Sequence, residues 1–191
     1  MKTHLLISAK VLALCLVLLG IVYPMITLLV GQTVFPFKAN GSLIREGNRV
    51  IGSELIAQEF SRPQYFQPRP SAVSYDPYQS GGSNLAPTSA RLFKTYQDRI
   101  KALRVKNAES AIKIPIELVT MSASGLDPHI SLGAAFWQIP RISNARDLSR
   151  KELEDLVLKS AQAPLFGFIG EPRVNVFLLN RHLGQLRNPK E

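Results

Sequence analysis

Five consecutive small residues hold the groups in this chain that are best suited to contact an anion. They are Ser80, Gly81, Gly82, Ser83 and Asn84. Successive glycine amides beside serine hydroxyls can cradle a phosphate group, because several N–H groups then point at one cluster of oxygens. A glycine pair is equally typical of a tight turn, since glycine adopts positive φ without steric cost. The pattern leaves both interpretations open, a nucleotide-contacting loop and a turn without a ligand.

A second stretch collects groups that resemble a nucleophile, a base and an acid. Its polar and turn-forming members are Ser122, Ser124, Gly125, Asp127, Pro128 and His129. A catalytic triad is assembled by the fold and not by proximity in sequence, so this grouping alone predicts no hydrolase. Both stretches lack the apolar periodicity of core elements and are rich in turn formers. We predict that they meet on one polar face of the domain.

Sequence motifs that mark an enzyme are absent. The chain contains no Walker phosphate loop, no paired-histidine metal spacing and no nucleophile elbow, and its histidines are His4, His129 and His182. The net charge is +9, yet the basic residues form no run interleaved with aromatics, which argues against nucleic acid as a partner. We predict no catalytic residue and no metal site.

The element that must position these loops relative to the cell is an apolar run, Val11 to Val30. It contains 20 residues without a charged side chain, 13 of which are Leu, Ile or Val. A helix of this length spans the hydrocarbon layer, and its composition favours insertion by about 4 to 8 kcal/mol. The run therefore predicts a membrane-spanning helix.

Two other interpretations of the run are less consistent with its residues. A cleaved signal has a shorter apolar core, of about 7 to 15 residues, and a small residue two positions before the end of the cleavage site, where this chain has Leu29. Lipidation would require Cys15, the single cysteine, but bulky Leu14 precedes it. We predict an uncleaved anchor, and a lone cysteine excludes an internal disulfide.

A proline interrupts the hydrogen bonding of this helix. Pro24 has no amide hydrogen, so the carbonyl of Gly20 loses its usual partner, and we predict a kink between Gly20 and Pro24. Thr27, or a helix of another subunit, could satisfy that carbonyl. Packing of the kinked helix against another subunit remains open, because proline and glycine are common in spanning helices.

The anchor divides the chain into four predicted parts. Residues 1–10 form a short tail, 11–30 the spanning helix, 31–40 a juxtamembrane connector and 41–191 one soluble domain. After Val30 the chain has 21 basic and 14 acidic residues, a net charge of +7. A short tail before a large domain favours an orientation with the tail in the cytoplasm and the domain outside.

The first part of the soluble chain predicts a strand, a helix and a long loop. Val50 and Ile51 favour a short strand, and a helix is predicted from Ser53 until Pro63 prevents its extension. Residues 62–87 form a loop rich in proline and glycine. Its predicted anchors in the domain are the aromatic residues Tyr65, Phe66, Tyr75 and Tyr78.

The second part predicts mainly helices. One runs from Thr88 to about Val105, and an apolar segment from Ser131 through Trp137 is interrupted at Pro140. A Ser149–Glu152 capping box begins a helix to about Ala161. The apolar run Val174 to Leu179 predicts a central buried strand, while residues 115–120 fit helix or strand. The fold class is a small α/β or α+β domain.

Four stretches of the chain resemble one family. They are Tyr65 to Ala72, Ser80 to Leu85, Ser122 to Ser131 and Gly170 to Val176. In this order, behind a single N-terminal anchor, they are similar to the KdpC family, the C subunits of Kdp potassium-transporting P-type ATPases. The resemblance covers nearly the whole chain.

A KdpC-like chain would be one subunit of a complex in the bacterial inner membrane. The resemblance implies two partners, a channel-like subunit that selects potassium and a P-type subunit that hydrolyses ATP. This chain has neither an Asp-Lys-Thr-Gly phosphorylation sequence nor a Gly-Tyr-Gly filter. The resemblance therefore implies an accessory, non-catalytic subunit that requires no cofactor.

The family resemblance supports two roles for the loops at 80–84 and 122–129. In the first, the domain lies outside, near the potassium entrance, and the loops serve assembly and coupling of the other subunits. In the alternative, the chain is a catalytic chaperone that binds ATP at the Gly-Gly loop and raises the ATP affinity of the hydrolysing subunit. The side of the membrane on which the domain lies distinguishes them.

Overall fold

The computed structural model describes residues 2–110 and 113–186. The chain forms two compact units, one ending at Ile51 and the other beginning at Gly52. The first contains one long helix and most of a hairpin. The second contains a three-stranded sheet, five helices among its described residues, and the loops that carry the candidate site.

Helix α1 (Lys2–Val34) is the single helix of the described chain that is long and apolar enough to cross a membrane. It includes the predicted span and also residues 2–10, which the sequence analysis assigned to a tail. None of its residues is buried within the protein. Because every backbone bond of a helix is made within the segment, such a surface can face lipid.

A π-helical turn, Leu18–Val22, lies immediately before Pro24. The N–H of Tyr23 donates to the carbonyl of Leu18, five residues back, so the helix carries one extra residue at this point. The hydroxyl of Thr27 donates to the carbonyl of Tyr23 at 2.5 Å. Thr27, one of the two groups considered for the carbonyl of Gly20, therefore bonds to Tyr23 instead, and the kink remains a prediction.

A short helix, α2 (Pro36–Ala39), and a hairpin of β1 (Leu43–Glu46) and β2 (Arg49–Ser53) follow the long helix. The predicted strand at positions 50 and 51 is confirmed within β2.

The predicted helix starting at Ser53 is wrong, since residues 54–89 contain neither helix nor strand. Two bonds explain the difference: the hydroxyl of Ser53 accepts from the N–H of Leu55, and the N–H of Ala57 donates to the carbonyl of Leu126. Side-chain and tertiary partners thus replace helical ones.

The sheet of the second unit is small and antiparallel. Its strands are β3 (His129–Ser131), β4 (Ala161–Gln162) and β5 (Arg173–Asn175), in the order β3-β5-β4. Buried Val174 in the centre pairs with Ile130 on one side and Ala161 on the other. Segregated helices and an antiparallel sheet make the domain α+β, which confirms that alternative of the predicted fold class.

The apolar run after β5 is not a strand. Only Val174 and Asn175 are extended, and α7 (Val176–Leu186) begins at the next residue, so the prediction of a strand to Leu179 is wrong. A continuous apolar run fits a buried helix as well as a buried strand. Asn175 decides between them, because its side-chain oxygen accepts from the N–H of Leu178 in the first helical turn.

Three of the four remaining helices begin at serine caps, and the fourth, a short helix that follows Pro115, has no side-chain cap. Helix α3 (Ala90–Lys106) is capped by Ser89, one residue after the predicted start, and α4 (Ile116–Val119) shows that residues 116–119 are helical. Helix α5 (Leu132–Arg146) is capped by Ser131, and α6 (Arg150–Lys159) has the predicted capping box.

Helix α5 continues through Pro140, so the predicted interruption there is wrong. Ile139, Arg141 and Ile142 are all buried beside the proline. Tertiary packing of this face outweighs the helix propensity that proline loses.

The core joins α5, α6 and α7 to the sheet, to Leu118 of α4 and to the loop residues Phe66 and Leu148. Its largest members include Phe66, Trp137, Ile142, Leu153, Leu179 and Leu183. Phe66 is fully buried, which confirms one predicted anchor of the loop, whereas Tyr78 is 95% exposed and anchors nothing. Tyr65 and Tyr75 are half-buried.

Candidate functional site

Three loops of the second unit form one surface, which we call the three-loop patch: residues 69–75, 80–84 and 121–129. The N–H of Gly81 donates to the carbonyl of Ser124 at 2.9 Å, and the N–H of Ser122 donates to the carbonyl of Pro70 at 3.0 Å. The hydroxyl of Ser80 also reaches Ser124 O, at 3.3 Å. The predicted contact between the second and third loops is therefore confirmed, while their role stays a prediction.

Gly125 is the position where this contact requires a glycine. Its φ is +71°, and an added Cβ would lie 2.6 Å from Val73 Cγ2 and 2.9 Å from the carbonyl oxygen of Gly81. Both distances are shorter than a methyl group tolerates. Any side chain at 125 would separate the first and second loops from the third.

The Gly81–Gly82 pair has another role than the tight turn considered from sequence. Neither residue is among the described residues with positive φ, whereas Asn84 is, at 52°. An added Cβ at Gly82 would lie 3.2 Å from Ala123 O, but one at Gly81 would only touch Val73 at 3.9 Å. The pair therefore permits close approach of backbones, chiefly at Gly82.

Asp127 is the charged centre of the patch. Its carboxylate accepts from Arg69 at 3.2 Å and from the backbone N–H of His129 at 3.0 Å, and the His129 ring lies 3.6 Å away. Burial favours the neutral carboxyl, but the bonds from His129 and Arg69 outweigh it and hold the pKa of Asp127 below its usual value. Arg69 also donates to Met121 O at 3.2 Å, so the cluster fixes the third loop.

The two serines and His129 do not form a nucleophile and base pair. Ser122 is buried, and its hydroxyl oxygen lies 3.4 Å from that of Ser124 and accepts from the N–H of Asp127. The His129 ring contacts Asp127 instead of either serine. Pro128 is buried, and its carbonyl accepts from the N–H of Val176 at 2.9 Å. The hydrogen bonds of these residues therefore hold the loop in place and leave no catalytic pair.

Tyr75 ties the first loop to itself. Its hydroxyl donates to Arg69 O at 3.0 Å, and its N–H donates to the hydroxyl of Ser71 at 3.0 Å. Burial, helped by the nearby charge of Glu59, raises the pKa of Tyr75 to about 12. The phenol therefore stays protonated and keeps donating over the physiological pH range.

A cavity of about 300 Å³ opens beside the patch, between the Gly-Gly loop and α3. Its lining includes Ser71, Gly82, Ser83, Arg91 and Arg99. Burial lowers the pKa of Arg99, which stays cationic and donates to Val119 O at 2.5 Å. Two guanidinium groups beside a Gly-Ser loop can bind an anion.

Buried polar side chains that were not predicted from sequence hold the segment just before the first loop of the patch. We call Gln138, Arg141, Arg146 and Asn180 the polar clamp, because they bind the backbone of residues 63–67. Asn180 accepts from the N–H of Phe66 and donates to its carbonyl, both at 2.8 Å. Gln138 does the same for Gln67, at 2.8 and 3.1 Å.

The two arginines of the clamp bind neighbouring carbonyls. Arg141 donates to Pro63 O, to Tyr65 O at 3.1 Å and to Asn107 at 2.9 Å, and burial lowers its pKa to about 10. Arg146 donates to Gln64 O at 2.8 Å. Polar residues within the apolar sequence of α5 were the only sequence signal for the clamp.

The other predicted site positions belong to the first unit. Gly20 and Pro24 belong to α1, in the first unit. Within residues 2–110 and 113–186, no group of three His, Cys, Asp or Glu side chains is arranged to hold a metal ion.

Comparison with known proteins identifies the family. A family model described as "KdpC: K+-transporting ATPase, c chain" matches residues 5–185. A potassium-transporting ATPase KdpC subunit of Escherichia coli (strain SE11) is 50% identical over 174 residues, which cover 90% of this chain and 92% of that protein. The corresponding subunit of Shigella dysenteriae serotype 1 (strain Sd197) is also 50% identical over the same shares. The chain therefore belongs to the KdpC family of potassium-transporting ATPase subunits.

Proposed function

We propose that this chain assembles and couples the potassium-selecting and ATP-hydrolysing subunits of a potassium uptake pump of the bacterial inner membrane. Its family makes it a subunit of a potassium-transporting ATPase and not itself the catalyst. In the proposed arrangement α1 anchors the chain in the membrane with its N-terminus in the cytoplasm. The second unit then lies outside, near the potassium entrance.

The observation that carries this proposal is the convergence of separate sequence motifs on one surface. Three of the four stretches that resemble the family, at 65–72, 80–85 and 122–131, contribute to the three-loop patch or to the clamped segment beneath it. Loops far apart in sequence and fixed against one another make a preorganised surface. Preorganisation lowers the entropic cost of docking to another subunit.

The polar groups of the patch are used to hold its own loops together. Gly81 N–H and the Ser80 hydroxyl both donate to Ser124 O, and Asp127 is paired with Arg69. Ala123 and Ser124 nevertheless remain exposed at its rim. A rigid rim without a free reactive group fits a contact surface better than a catalytic one.

One observation favours the second candidate function, ATP binding as a catalytic chaperone. The 300 Å³ cavity places Arg91 and Arg99 beside Gly82 and Ser83, and guanidinium groups are suited to phosphate. Against it, the N–H of Gly81 is already donated to Ser124 O and is not available to a phosphate. We rank the coupling role first for that reason.

Topology is the experiment that tests the proposal. The single Cys15 is replaced by serine, and Val105→Cys is labelled in intact cells with a membrane-impermeant maleimide, the full complex being expressed. We expect labelling without permeabilisation, because Val105 is 82% exposed, lies outside the three-loop patch and belongs to the domain proposed to lie outside. Thr3→Cys at the other end of α1 is the matched control and should label only after permeabilisation. The reverse pattern would overturn the external domain.

The role of the patch is tested separately by adding bulk at its rim. Ala123→Arg should reduce ATP-driven potassium uptake while leaving the chain folded, because position 123 is exposed. Val105→Arg, on a side chain that is 82% exposed on α3, is the control and should leave uptake unchanged. ATP photolabelling of the parent chain that disappears in Arg91→Ala would favour the chaperone role instead.

A further inference from the structure

A hairpin of the second unit projects from the sheet between β4 and β5. Gln162 and Arg173 form the last paired position of these strands, and Leu165 then bridges to Ile169 across a tight turn. We call residues 163–170 the apolar finger. The family-like stretch Gly170 to Val176 begins at the last residue of the finger.

The tip of the finger is apolar and uncovered. Leu165, Phe166, Phe168 and Ile169 are 61%, 80%, 78% and 50% exposed, and no charged residue occurs from 163 to 170. Isolated apolar side chains on a surface are ordinary, but four large ones within five residues are a patch that marks an interaction.

Four backbone N–H groups of the finger are bonded within it. The N–H groups of Leu165, Phe168 and Ile169 donate to carbonyls within the turn at 3.0, 3.3 and 2.9 Å, and that of Gly167 donates to Pro164 O at 3.0 Å. Positive φ at Phe166 and Gly167 permits this closed turn. These bonds lower the cost of bringing the turn into lipid, because lipid offers the backbone no partner.

We propose that the apolar finger inserts into the lipid bilayer and gives this chain a second membrane contact besides α1. A bilayer is the occupant that the chain itself indicates, since α1 is a candidate span and tethers the second unit to a membrane. The tip has no side-chain hydrogen-bond donor, and it lacks the Trp, Tyr and Arg that dominate protein–protein hot spots. Arg173, exposed at the base, can meet a lipid phosphate.

Fluorescence quenching by lipid distinguishes this site from contact with another subunit. The full-length chain carrying Cys15→Ser is labelled at Phe166→Cys with the environment-sensitive fluorophore NBD. It is reconstituted in vesicles of phosphatidylcholine and phosphatidylglycerol containing a lipid with a nitroxide on its acyl chain. We expect a blue-shifted emission that the nitroxide quenches several-fold more than at the control position Tyr78→Cys, which is 95% exposed.

A second labelled position guards against a local artefact. Phe168→Cys should be quenched like the first, since the two side chains share the tip, and circular dichroism should show all variants folded. Quenching that is absent at both positions, or equal to that at Tyr78→Cys, overturns the proposal. A blue shift that appears only when the other pump subunits are reconstituted, without lipid quenching, assigns the finger to a protein partner and also overturns it.

Discussion

The helical core and the long loop of the second unit are equally buried at their centres but are held by different forces. Leu153 in α6 and Phe66 in the loop both have no exposed surface. The helix satisfies its own backbone, so packing of apolar side chains suffices to place it. The loop has no internal ladder, and side chains from α5 and α7 bind its backbone one group at a time.

The conformation of the loop is therefore determined mostly by residues of α5 and α7 and less by residues of the loop itself. Residues 63–67 are bound through their backbone carbonyls and N–H groups, which do not depend on the identity of their side chains. The side chains of the polar clamp determine which of these backbone groups are hydrogen-bonded. The loop should therefore be more sensitive to single changes in the helices than to changes at its own exposed positions. Trp137, the only tryptophan and 2% exposed in this core, reports unfolding of this unit alone.

The largest effect is expected when Arg141 is truncated. Arg141→Ala takes a charged donor from two carbonyls, Pro63 and Tyr65, and from the side-chain oxygens of Asn107 and Gln138, so it should lower the free energy of unfolding by about 3 to 5 kcal/mol. That is as much as Leu153→Ala, a core truncation expected to cost about 2 to 5 kcal/mol. Urea unfolding of the full-length chain in detergent, followed by Trp137 fluorescence, measures both.

The matched control for that truncation is Arg150→Ala. Arg150 is an exposed arginine that pairs with Glu109 at 2.8 Å, so its loss should cost less than about 1 kcal/mol. An Arg141 variant as stable as the Arg150 variant would show that the loop keeps its conformation without this arginine. It would contradict the conclusion that side chains of the helices hold the loop.

A smaller loss is expected at Asn180. Asn180→Ala removes both bonds to Phe66, and the two buried backbone groups left unpaired should cost about 2 to 4 kcal/mol. Asn144, exposed on α5 and bonded through its side chain to Glu109, provides the comparison for asparagine truncation. Thermal unfolding midpoints for the two variants should separate clearly, and coincident midpoints would contradict the proposed function of the clamp.

Gly125→Ala tests the loop side of the comparison. The added methyl meets Val73 and the Gly81 carbonyl at a positive φ, so we expect a loss of about 1 to 3 kcal/mol and a loosened three-loop patch. Gly81→Ala, whose methyl finds only an ordinary contact, should be nearly neutral. Limited proteolysis of residues 69–84 is the second measurement. Equal protection of both variants would mean that the close approach at 125 does not hold the patch.

The smallest effect concerns the acid sensitivity of the patch. Because the pKa of Asp127 is lowered in the folded chain, its carboxylate stabilises the fold above the unfolded-state pKa of about 4. That stabilisation is lost as pH falls through the lower folded-state pKa. The stability advantage of the parent over Asp127→Asn, below about 1 kcal/mol, should therefore shrink between pH 5 and pH 3. A pH-independent difference would exclude this linkage.

Elements with a local signal were predictable from sequence. The Ser149–Glu152 capping box predicted α6, and helical periodicity after Thr88 predicted α3, whose cap lies one residue later at Ser89. In both cases the signal and the structure lie in the same few residues. The anchor was predicted by length and composition alone. The contact between the loops at 80–84 and 122–129 followed from their shared composition, although no pattern specified which atoms meet.

Other elements were mispredicted for two reasons. The run after Val174 fitted a strand as well as a helix, and a local cap by Asn175 that the prediction did not include selects the helix. The segment from Ser53 is held partly by a distant partner, since the N–H of Ala57 donates to Leu126 O. The burial of Arg141 and Arg146 could not be predicted, since a basic side chain on a helix usually faces solvent. Their carbonyl partners are 76 and 82 residues away, beyond the reach of any local pattern.

The π-helical turn in α1 has a consequence for the azimuth of the side chains along the anchor. One extra residue in a turn rotates every side chain that follows about the helix axis by the angle of one residue, about 100° in an α-helix. Ala9, Ala13 and Gly20 are small residues spaced four and seven positions apart, a spacing that places them on one face of a regular α-helix. Ala9 and Ala13 precede the turn, whereas Gly20 lies within it, so the three do not form one straight stripe. A neighbouring helix that packs along the small residues before the turn therefore meets a different face of the anchor after it.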